Sequence, residues 1–221
     1  MARGVWMRRF ARWHIWLGWL VGVPLLLWTM SGVLMIARPI EEVRGTTLRI
    51  ETESRPLLTG TQTVELRTFM QRGRAVTLAT GADDRVVRYY ADTGIAMPPV
   101  DAIEARKIVA AGISGGTAVA ELKAFDAEEA PFDFRRAMPV WQVTLVDGTR
   151  VYVGRDTGEI EAVRTRWWRF YDFMWGLHIM DLQTREDAHN PFTIVFGSLA
   201  FVGTLLGFVL LFRRRKARVA V

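Results

Sequence analysis

The chain has three histidines, His14, His178 and His189, and no cysteine. The absence of cysteine excludes disulfides, thiolate metal sites, iron–sulfur clusters and cysteine catalysis. Imidazole is then the side chain best suited to ligate a metal. His14 lies between Trp13 and Trp16 at the edge of an apolar run, where a residue of the interfacial aromatic belt is the alternative to a ligand.

The other two histidines lie close together near the C-terminal apolar run. If the stretch around His178 is helical, Asp181 shares its face, and the carboxylate could orient the imidazole. The alternative is a membrane-surface helix that is anchored by the tryptophans before His178. His189 immediately precedes Asn190 and Pro191, so we expect it to belong to a loop.

Two groups of acidic residues could supply oxygen ligands but have no known metal-ligand spacing. They are Asp181, Glu186 and Asp187 with His189, and Asp126, Glu128, Glu129 and Asp133. We expect both groups to be solvated loops, and we predict no metal site there. The sequence contains no Walker loop, GxGxxG, HExxH or GxSxG motif, so no catalytic residue is predicted from a motif.

Two apolar runs, Ile15 to Ile36 and Phe192 to Phe212, contain no charged residue. Each is long enough to cross about 30 Å of hydrocarbon as a helix, which predicts transmembrane helices at 15–37 and 191–212. The first is too long for the core of a cleaved signal peptide, so a retained anchor is expected. GxxxG motifs at Gly18/Gly22 and Gly203/Gly207 allow close helix pairing, within one chain or between chains.

Positive charge is concentrated at the two ends of the chain. Nine of the 29 Lys and Arg residues lie before residue 38 or after Phe212, where there is no acid. The remaining 20 face 23 acidic residues, so the central part is mildly acidic and a nucleic-acid partner is not expected. Because basic flanks mark the cytoplasmic side, residues 1–14 and 213–221 are predicted to be cytoplasmic. The central part is then extracytoplasmic.

The central residues 38–166 are predicted to form an α+β domain, and residues 167–190 a membrane-surface segment. Residues 63–73 are predicted to be a short helix, followed by strands at 75–79 and 85–90. Asp101 can cap a helix over 101–112, with Glu104 three residues on as in a capping box. Beyond a strand at 118–125, Asp147-Gly148 predicts a type I′ hairpin. A further strand follows the turn at 156–159.

These elements are arranged as two similar units, the first shorter than the second. In each unit a helix precedes an antiparallel sheet, and the sequence Asp-Thr-Gly begins the turn into the last strand of the unit. Each unit is small for an independent core, so we expect the two to pack together.

Three stretches together resemble the PepSY-associated transmembrane family. They are Arg12–Gly18 (RWHIWLG), Pro139–Val163 (PVWQVTLVDGTRVYVGRDTGEIEAV), and Arg169–Phe173 (RFYDF) followed by Leu177-His178. The resemblance implies a bacterial inner-membrane protein with two transmembrane helices and a periplasmic α+β domain of two PepSY-like units. Some longer members look like ferric-siderophore reductases that bind b-type haem through histidines. Soluble PepSY proteins are associated with peptidase inhibition or propeptides.

On this resemblance His14 and His178 are the candidate ligands of haem b. They lie at opposite ends of a span and cannot share one iron, so haem binding would require a homodimer or a larger membrane complex. The leading hypothesis is ferric-reductase-like electron transfer across the membrane. The alternatives are a non-enzymatic, membrane-tethered PepSY module that binds or restrains a partner protein, and an accessory subunit of a larger complex.

Overall fold

The computed structural model describes residues 2–50 and 65–218. The chain divides into a helical unit, residues 2–38 and 170–218, and a sheet unit, residues 39–50 and 65–169. Each unit has its own internal packing and is described separately below.

The helical unit contains two long apolar helices. Helix α1 is Ala2–Met35, with Pro24 inside it, and helix α5 is Pro191–Arg218. Both predicted spans are therefore helical, and both helices are long and apolar enough to cross a membrane. Helix α1 begins earlier than the predicted span, so the arginines before His14 lie on the same helix as the apolar residues.

The two apolar helices pack against each other along the Gly203/Gly207 motif. A Cβ on Gly203 would lie 3.9 Å from the Cβ of Leu17, and Gly207 faces the ring of His14. Positions 18 and 22 have no neighbouring atom within 4 Å of such a Cβ in the part of the chain that the structure describes. One GxxxG motif thus pairs helices within the chain, whereas the other does not.

The sheet unit contains two antiparallel sheets, in strand orders β1-β2-β3 and β4-β5-β6-β7. The strands are β1 Glu65–Gln71, β2 Arg74–Thr80, β3 Val86–Tyr90, β4 Val119–Phe125, β5 Val140–Leu145, β6 Arg150–Gly154 and β7 Ile160–Arg164. Helix α2 is the short Ile40–Arg44, and helix α3 is Ala102–Gly112. Helix α4, Arg166–His178, begins in the sheet unit and ends in the helical unit.

The prediction of a helix at residues 63–73 was wrong over its described residues, because 65–71 form strand β1. Glu, Leu, Met and Gln favour helices, but a seven-residue pairing with β2 overrides that weak preference. Arg72 and Gly73, at φ +50° and +80°, join the two strands. Two successive positive φ angles are the signature of a type I′ turn. The predicted helix of the first helix-plus-sheet unit is therefore not found there.

The hairpin predicted at Asp147-Gly148 is present, but its turn is not type I′. Only Gly148, at φ +82°, has a positive φ in this turn. Leu145 donates its N–H to the carbonyl of Thr149, and Gly148 donates to the carbonyl of Leu145. This pattern fits a type I turn followed by a left-handed glycine, the usual three-residue hairpin loop.

Helix α3 packs on the second sheet and forms the main core of the sheet unit. Its start is as predicted, since Oδ1 of Asp101 accepts the N–H of Glu104 at 2.7 Å. The apolar face of α3 meets valines of the central strands, which remove each other's side chains from water. The cluster includes Ala105, Ile108, Val109, Val143, Val151, Val153 and Val163.

Glu104 does not complete the expected capping box. Its carboxylate instead accepts hydrogen bonds from the guanidinium of Arg88 on β3, at 3.0 and 3.3 Å. Arg88 is only 1% exposed and also donates to the carbonyl of Pro98 at 2.8 Å. A buried cation that is paired in this way ties the first sheet to α3.

A second polar network lies under the loop before β5. The Tyr152 hydroxyl donates to Oδ1 of Asp133 at 2.7 Å and accepts from Nε2 of Gln142 at 2.6 Å. Arg150 donates to the other Asp133 oxygen at 3.0 Å. Burial, followed by the hydrogen bond to Asp133, raises the pKa of Tyr152 well above its ordinary value. The phenol is therefore held in its neutral form.

Candidate functional site: two histidines on the apolar helices

His14 is held against helix α5 by a backbone hydrogen bond. Its Nδ1 atom lies 3.0 Å from the carbonyl oxygen of Gly203. One turn further along α5, a Cβ on Gly207 would lie 3.0 Å from the ring carbon Cε1 of His14. The ring thus fits where α5 has no side chain, and the GxxxG spacing puts both glycines on the helix face that receives it.

His178 ends helix α4 and lies beside helix α1. Its Nδ1 atom lies 3.2 Å from the carbonyl oxygen of Trp28 and 3.2 Å from Oγ of Ser31. A Cβ on Gly32 would lie 3.3 Å from the ring carbon Cε1. The arrangement repeats that of His14: an imidazole faces a glycine of another helix, and its Nδ1 is hydrogen-bonded to a backbone carbonyl.

Two tryptophans stack on the His178 ring. The Trp28 ring centroid is 5.1 Å away and the Trp175 centroid 6.4 Å away, both within 22° of parallel to the imidazole. Aromatic side chains packed in this way restrict rotation of the imidazole about its side-chain bonds. The ring is therefore fixed by a hydrogen bond at one nitrogen and by stacking.

The hydrogen bonds assign the tautomer of both rings. A carbonyl oxygen can only accept, so the Nδ1 atoms of His14 and His178 carry the hydrogen. Ser31 is consistent with this assignment, because its hydroxyl donates to the Trp28 carbonyl and leaves its oxygen to accept from His178. In the neutral imidazoles the Nε2 lone pairs are then available. Metal-ligating histidines commonly have this arrangement, with the other ring N–H given to a carbonyl.

The two imidazoles occupy well-separated levels along α1. His14 is a residue of α1 itself, whereas His178 contacts α1 at Trp28, Ser31 and Gly32. At 1.5 Å per residue, the two levels are roughly 21–27 Å apart along the helix axis. Within one chain the two Nε2 atoms therefore cannot ligate the same iron.

An apolar cavity of about 390 Å³ opens beside His178 within the helical unit. A volume of this order is typical of small-molecule and cofactor sites. Its wall is mainly aliphatic and aromatic, and the side chains of His178, Trp28 and two threonines can form hydrogen bonds. The lining residues are Val21, Pro24, Leu25, Trp28, His178, Met180, Thr193, Phe196, Gly197, Ala200, Phe201 and Thr204.

The prediction that Asp181 orients His178 was wrong. Both carboxylate oxygens of Asp181 accept hydrogen bonds from its own loop: from the backbone N–H groups of residues 183, 184, 186 and 187 and from the Thr184 hydroxyl. The hydrogen bonds from Thr184 lower the pKa of Asp181 far below its usual range. Because a backbone carbonyl and Ser31 take its place, the imidazole is oriented by helix α1 instead.

The loop after His178 is fixed by an ion pair. Asp172, buried on α4, accepts from Nη1 of Arg185 at 2.6 Å. The Trp175 indole N–H donates to the carbonyl of Arg185 at 3.1 Å. This loop also contains His189, whose backbone N–H donates to Oδ1 of Asp187. His189 therefore lies in a loop, as predicted.

The expectation that both acidic groups are solvated was wrong for Asp133, which is buried, and carboxylates of both groups have partners within the protein. Asp133 binds Tyr152 and Arg150, Asp126 binds Arg155, and Asp181 binds its own loop. Within residues 2–50 and 65–218, no group of three or more His, Asp or Glu side chains is placed to hold a metal ion.

The sequence singled out both histidines as candidates but not the groups that orient them. Ser31 and Gly32 are adjacent small residues that follow bulky apolar residues on α1, and such a pair leaves space for a side chain of another helix. The carbonyl acceptors on Trp28 and Gly203 carry no sequence signal, since every residue has one.

Comparison with known families covers nearly the whole chain. The family model described as "PepSY-associated TM region" matches residues 11–221. No curated protein and no solved structure matches the chain significantly. The match agrees with the two apolar helices, and together they indicate a membrane-associated PepSY protein. The chain therefore belongs to the PepSY-associated transmembrane family.

Proposed function

We propose that this protein binds haem b through Nε2 of His14 and of His178 and passes electrons across the membrane. The observation that carries the proposal is the common geometry of the two rings. Each Nδ1 is hydrogen-bonded to a backbone carbonyl, so each neutral imidazole has its lone pair on Nε2. When bound, the haem supplies a one-electron carrier.

The residues present fit a haem that is shared between two polypeptides. A b-type haem held by histidines would need two imidazoles, whereas one chain offers His14 alone at one end of α1 and His178 alone at the other as candidate ligands. The second imidazole would come from a second copy or from another subunit, as a homodimer or larger complex. The apolar cavity beside His178 suits a flat, largely hydrophobic macrocycle.

The residues of this chain have three roles in the proposal. The carbonyls of Gly203 and Trp28 orient the two imidazoles, and the hydrogen bonds to them make Nε2 a better donor. The stacked Trp28 and Trp175 rings hold His178 in place. Because the two imidazoles are roughly 21–27 Å apart along α1, electrons would pass between two separate haem sites.

The proposed location is the bacterial inner membrane, with both termini cytoplasmic and the sheet unit periplasmic. The support is the distribution of arginine and lysine in the sequence. Arg8, Arg9 and Arg12 precede the first apolar run and Arg213–Arg215 follow the second, as the positive-inside rule requires for this orientation. His14 would then lie near the cytoplasmic face and His178 near the periplasmic face.

The test is the visible spectrum of the full-length protein in mild detergent, oxidised and dithionite-reduced. We expect a Soret band and sharp reduced α and β bands, with haem close to stoichiometric. His14→Ala and His178→Ala should each lower the bound haem by about half, because each variant removes the ligand of one of the two proposed haem sites. His189→Ala is the matched control and should keep the wild-type spectrum.

Full haem content in both single variants would contradict the proposal. A wild-type protein that stays colourless after haem is supplied during expression and reconstitution would do the same. That second outcome would support the non-enzymatic alternatives, a tethered module for a partner protein or an accessory subunit. Co-purification at fixed stoichiometry would then identify the partner.

A further inference from the structure

One surface of the sheet unit combines arginine with tryptophan. It is formed by the loop at 132–135, the β5–β6 turn at 146–148, the start of β6 and the residues around the beginning of helix α4. We call it the arginine–tryptophan surface. Its members are Phe132, Arg135, Val146, Arg150, Arg164, Arg166, Trp168 and Arg169.

Two guanidinium groups of this surface lie near the ring of Trp168. The Arg164 guanidinium carbon is 4.1 Å from the Trp168 ring centroid, and that of Arg135 is 5.9 Å away. The Arg135 group also lies 5.5 Å from the ring of Phe132. Contacts of this kind fix the cations by attraction to the faces of the aromatic rings.

Two further arginines reach the β5–β6 turn. Arg169 donates from Nη2 to the carbonyl of Gly148 at 3.1 Å. A Cβ on Gly148 would lie only 2.7 Å from Nε of Arg166, so this side chain also lies against the turn. The hairpin and the first turn of α4 thus bring two positive charges to the same place.

Positive charge exceeds negative charge on this surface. Among the residues that the structure describes, the loop and the turn of this surface contribute two carboxylates, Asp133 and Asp147, against its five arginines, and Asp147 accepts hydrogen bonds from the backbone and hydroxyl of Thr149. Asp133 is shared between Arg150 and Tyr152. The pKa of Arg169 is lowered, first by burial and next by the charge of Arg150. Such an excess of cations favours an anionic ligand.

Exposed apolar side chains accompany the cations. Phe132 is 51% exposed and Val146 is 71% exposed. Along the chain, the surface ends at Arg169, and the next residue, Phe170, begins the C-terminal part of the helical unit. Arginine, tryptophan and exposed apolar side chains together form the composition that suits a bilayer interface.

We propose that the arginine–tryptophan surface binds the phosphate groups of anionic phospholipids in the leaflet next to the sheet unit. The guanidinium groups recognise the phosphate oxygens, for which planar forked donors are well matched. Trp168, Phe132 and Val146 contact the region between headgroups and acyl chains. The inference does not depend on haem binding, so its test is separate from the visible spectrum.

The test uses the full-length protein in nanodiscs, with a photoreactive phenylalanine analogue in place of Phe132. In a second protein, Ile103 is replaced, because it is exposed to a similar degree at 64% and lies on helix α3. Lipid adducts are identified by mass spectrometry. We expect phosphatidylglycerol adducts at position 132, few at position 103, and few at either position in phosphatidylcholine alone.

Substitutions then test which arginines contribute to lipid binding. Arg166→Gln with Arg169→Gln should lower the adduct yield at position 132 by about fivefold for each arginine removed. Arg166→Gln alone is the safer variant for folding, because Arg169 also donates to two backbone carbonyls. Arg106→Gln, an exposed arginine on α3, is the control and should leave the yield unchanged.

Two kinds of result would overturn the proposal. One is an equal yield at positions 132 and 103, or a yield that is independent of lipid charge. The other is loss of the adduct on addition of dilute glycerol 3-phosphate, which would identify a soluble phosphate ligand instead of a bilayer. Lipid binding is supported if the adduct yield at position 132 is unchanged by glycerol 3-phosphate and is lower in the arginine variants.

Discussion

The Nδ1 atom of His14 lies 3.0 Å from the carbonyl oxygen of Gly203, a residue 189 positions further along the chain. His178 has the same relationship with the carbonyl of Trp28, at 3.2 Å. In both cases a histidine of one helix is oriented by the backbone of another, and a glycine provides the space for the ring. Helix packing and histidine chemistry are therefore coupled, which leads to the first prediction.

Gly207→Ala should weaken the packing of α1 against α5. The new Cβ would lie 3.0 Å from Cε1 of His14, which is too close for an unshifted ring. Overpacking of this kind costs about 1–3 kcal/mol of unfolding free energy. Thermal unfolding of the full chain in detergent measures the effect. Gly197→Ala, whose Cβ meets no atom within 4 Å, is the control on the same helix. Equal melting temperatures for the two variants would contradict the prediction.

Asp172→Asn should loosen the loop that follows His178. The substitution leaves the guanidinium of Arg185 without its partly buried counter-charge, at a cost of about 3 kcal/mol. Hydrogen exchange of residues 179–189 should become faster. The double variant Asp172→Asn/Arg185→Gln should recover part of the protection, since it removes the uncompensated charge. If Asp172→Asn and the double variant both exchange at the wild-type rate, the ion pair does not hold the loop.

Glu104→Gln should destabilise the sheet unit strongly. Arg88 is 1% exposed, so removing its counter-charge leaves a buried cation without compensation, which costs about 3–5 kcal/mol. Glu121→Gln removes a carboxylate of similar type whose pair with Lys123 is half exposed, and it should cost less than about 1 kcal/mol. Hydrogen exchange of strands β2 and β3 in the full chain distinguishes the two. A small effect of Glu104→Gln would show that water reaches Arg88.

Tyr152→Phe should change how the sheet unit responds to alkaline pH. The pKa of Tyr152 is raised in the folded state, mainly by burial, above its ordinary value of 10.0. The folded state therefore binds the proton more tightly, and the stability from this group is present below about pH 10 and lost above it.

The measurement is denaturant unfolding at several pH values, followed by a signal of the sheet unit. At neutral pH the phenylalanine variant should lose about 1–3 kcal/mol, because Asp133 and Gln142 each lose a buried partner. Above pH 10 the difference in unfolding free energy between the wild type and the variant should become smaller. A gap that stays constant up to pH 11 would exclude the raised pKa as a source of stability.

The sequence was informative where local signals and the fold agree. The apolar runs, the Asp101 cap and the four strands from 119 to 164 were predictable, because each has a local pattern that tertiary packing reinforces. Strand β1 was not predictable, because its residues favour a helix and are extended only through their pairing with β2. The partners of His14 and His178 were also not predictable, because the acceptors are main-chain oxygens far away in sequence.

The backbone acceptors have a consequence for how these histidines tolerate mutation. A side-chain acceptor can be deleted by one substitution, whereas the carbonyls of Gly203 and Trp28 persist whatever residues stand there. Substitutions can therefore displace the imidazoles mainly at Gly32 and Gly207, whose lack of a side chain leaves space for the rings. In relatives of this chain, loss of either glycine should accompany loss of the histidine that it faces.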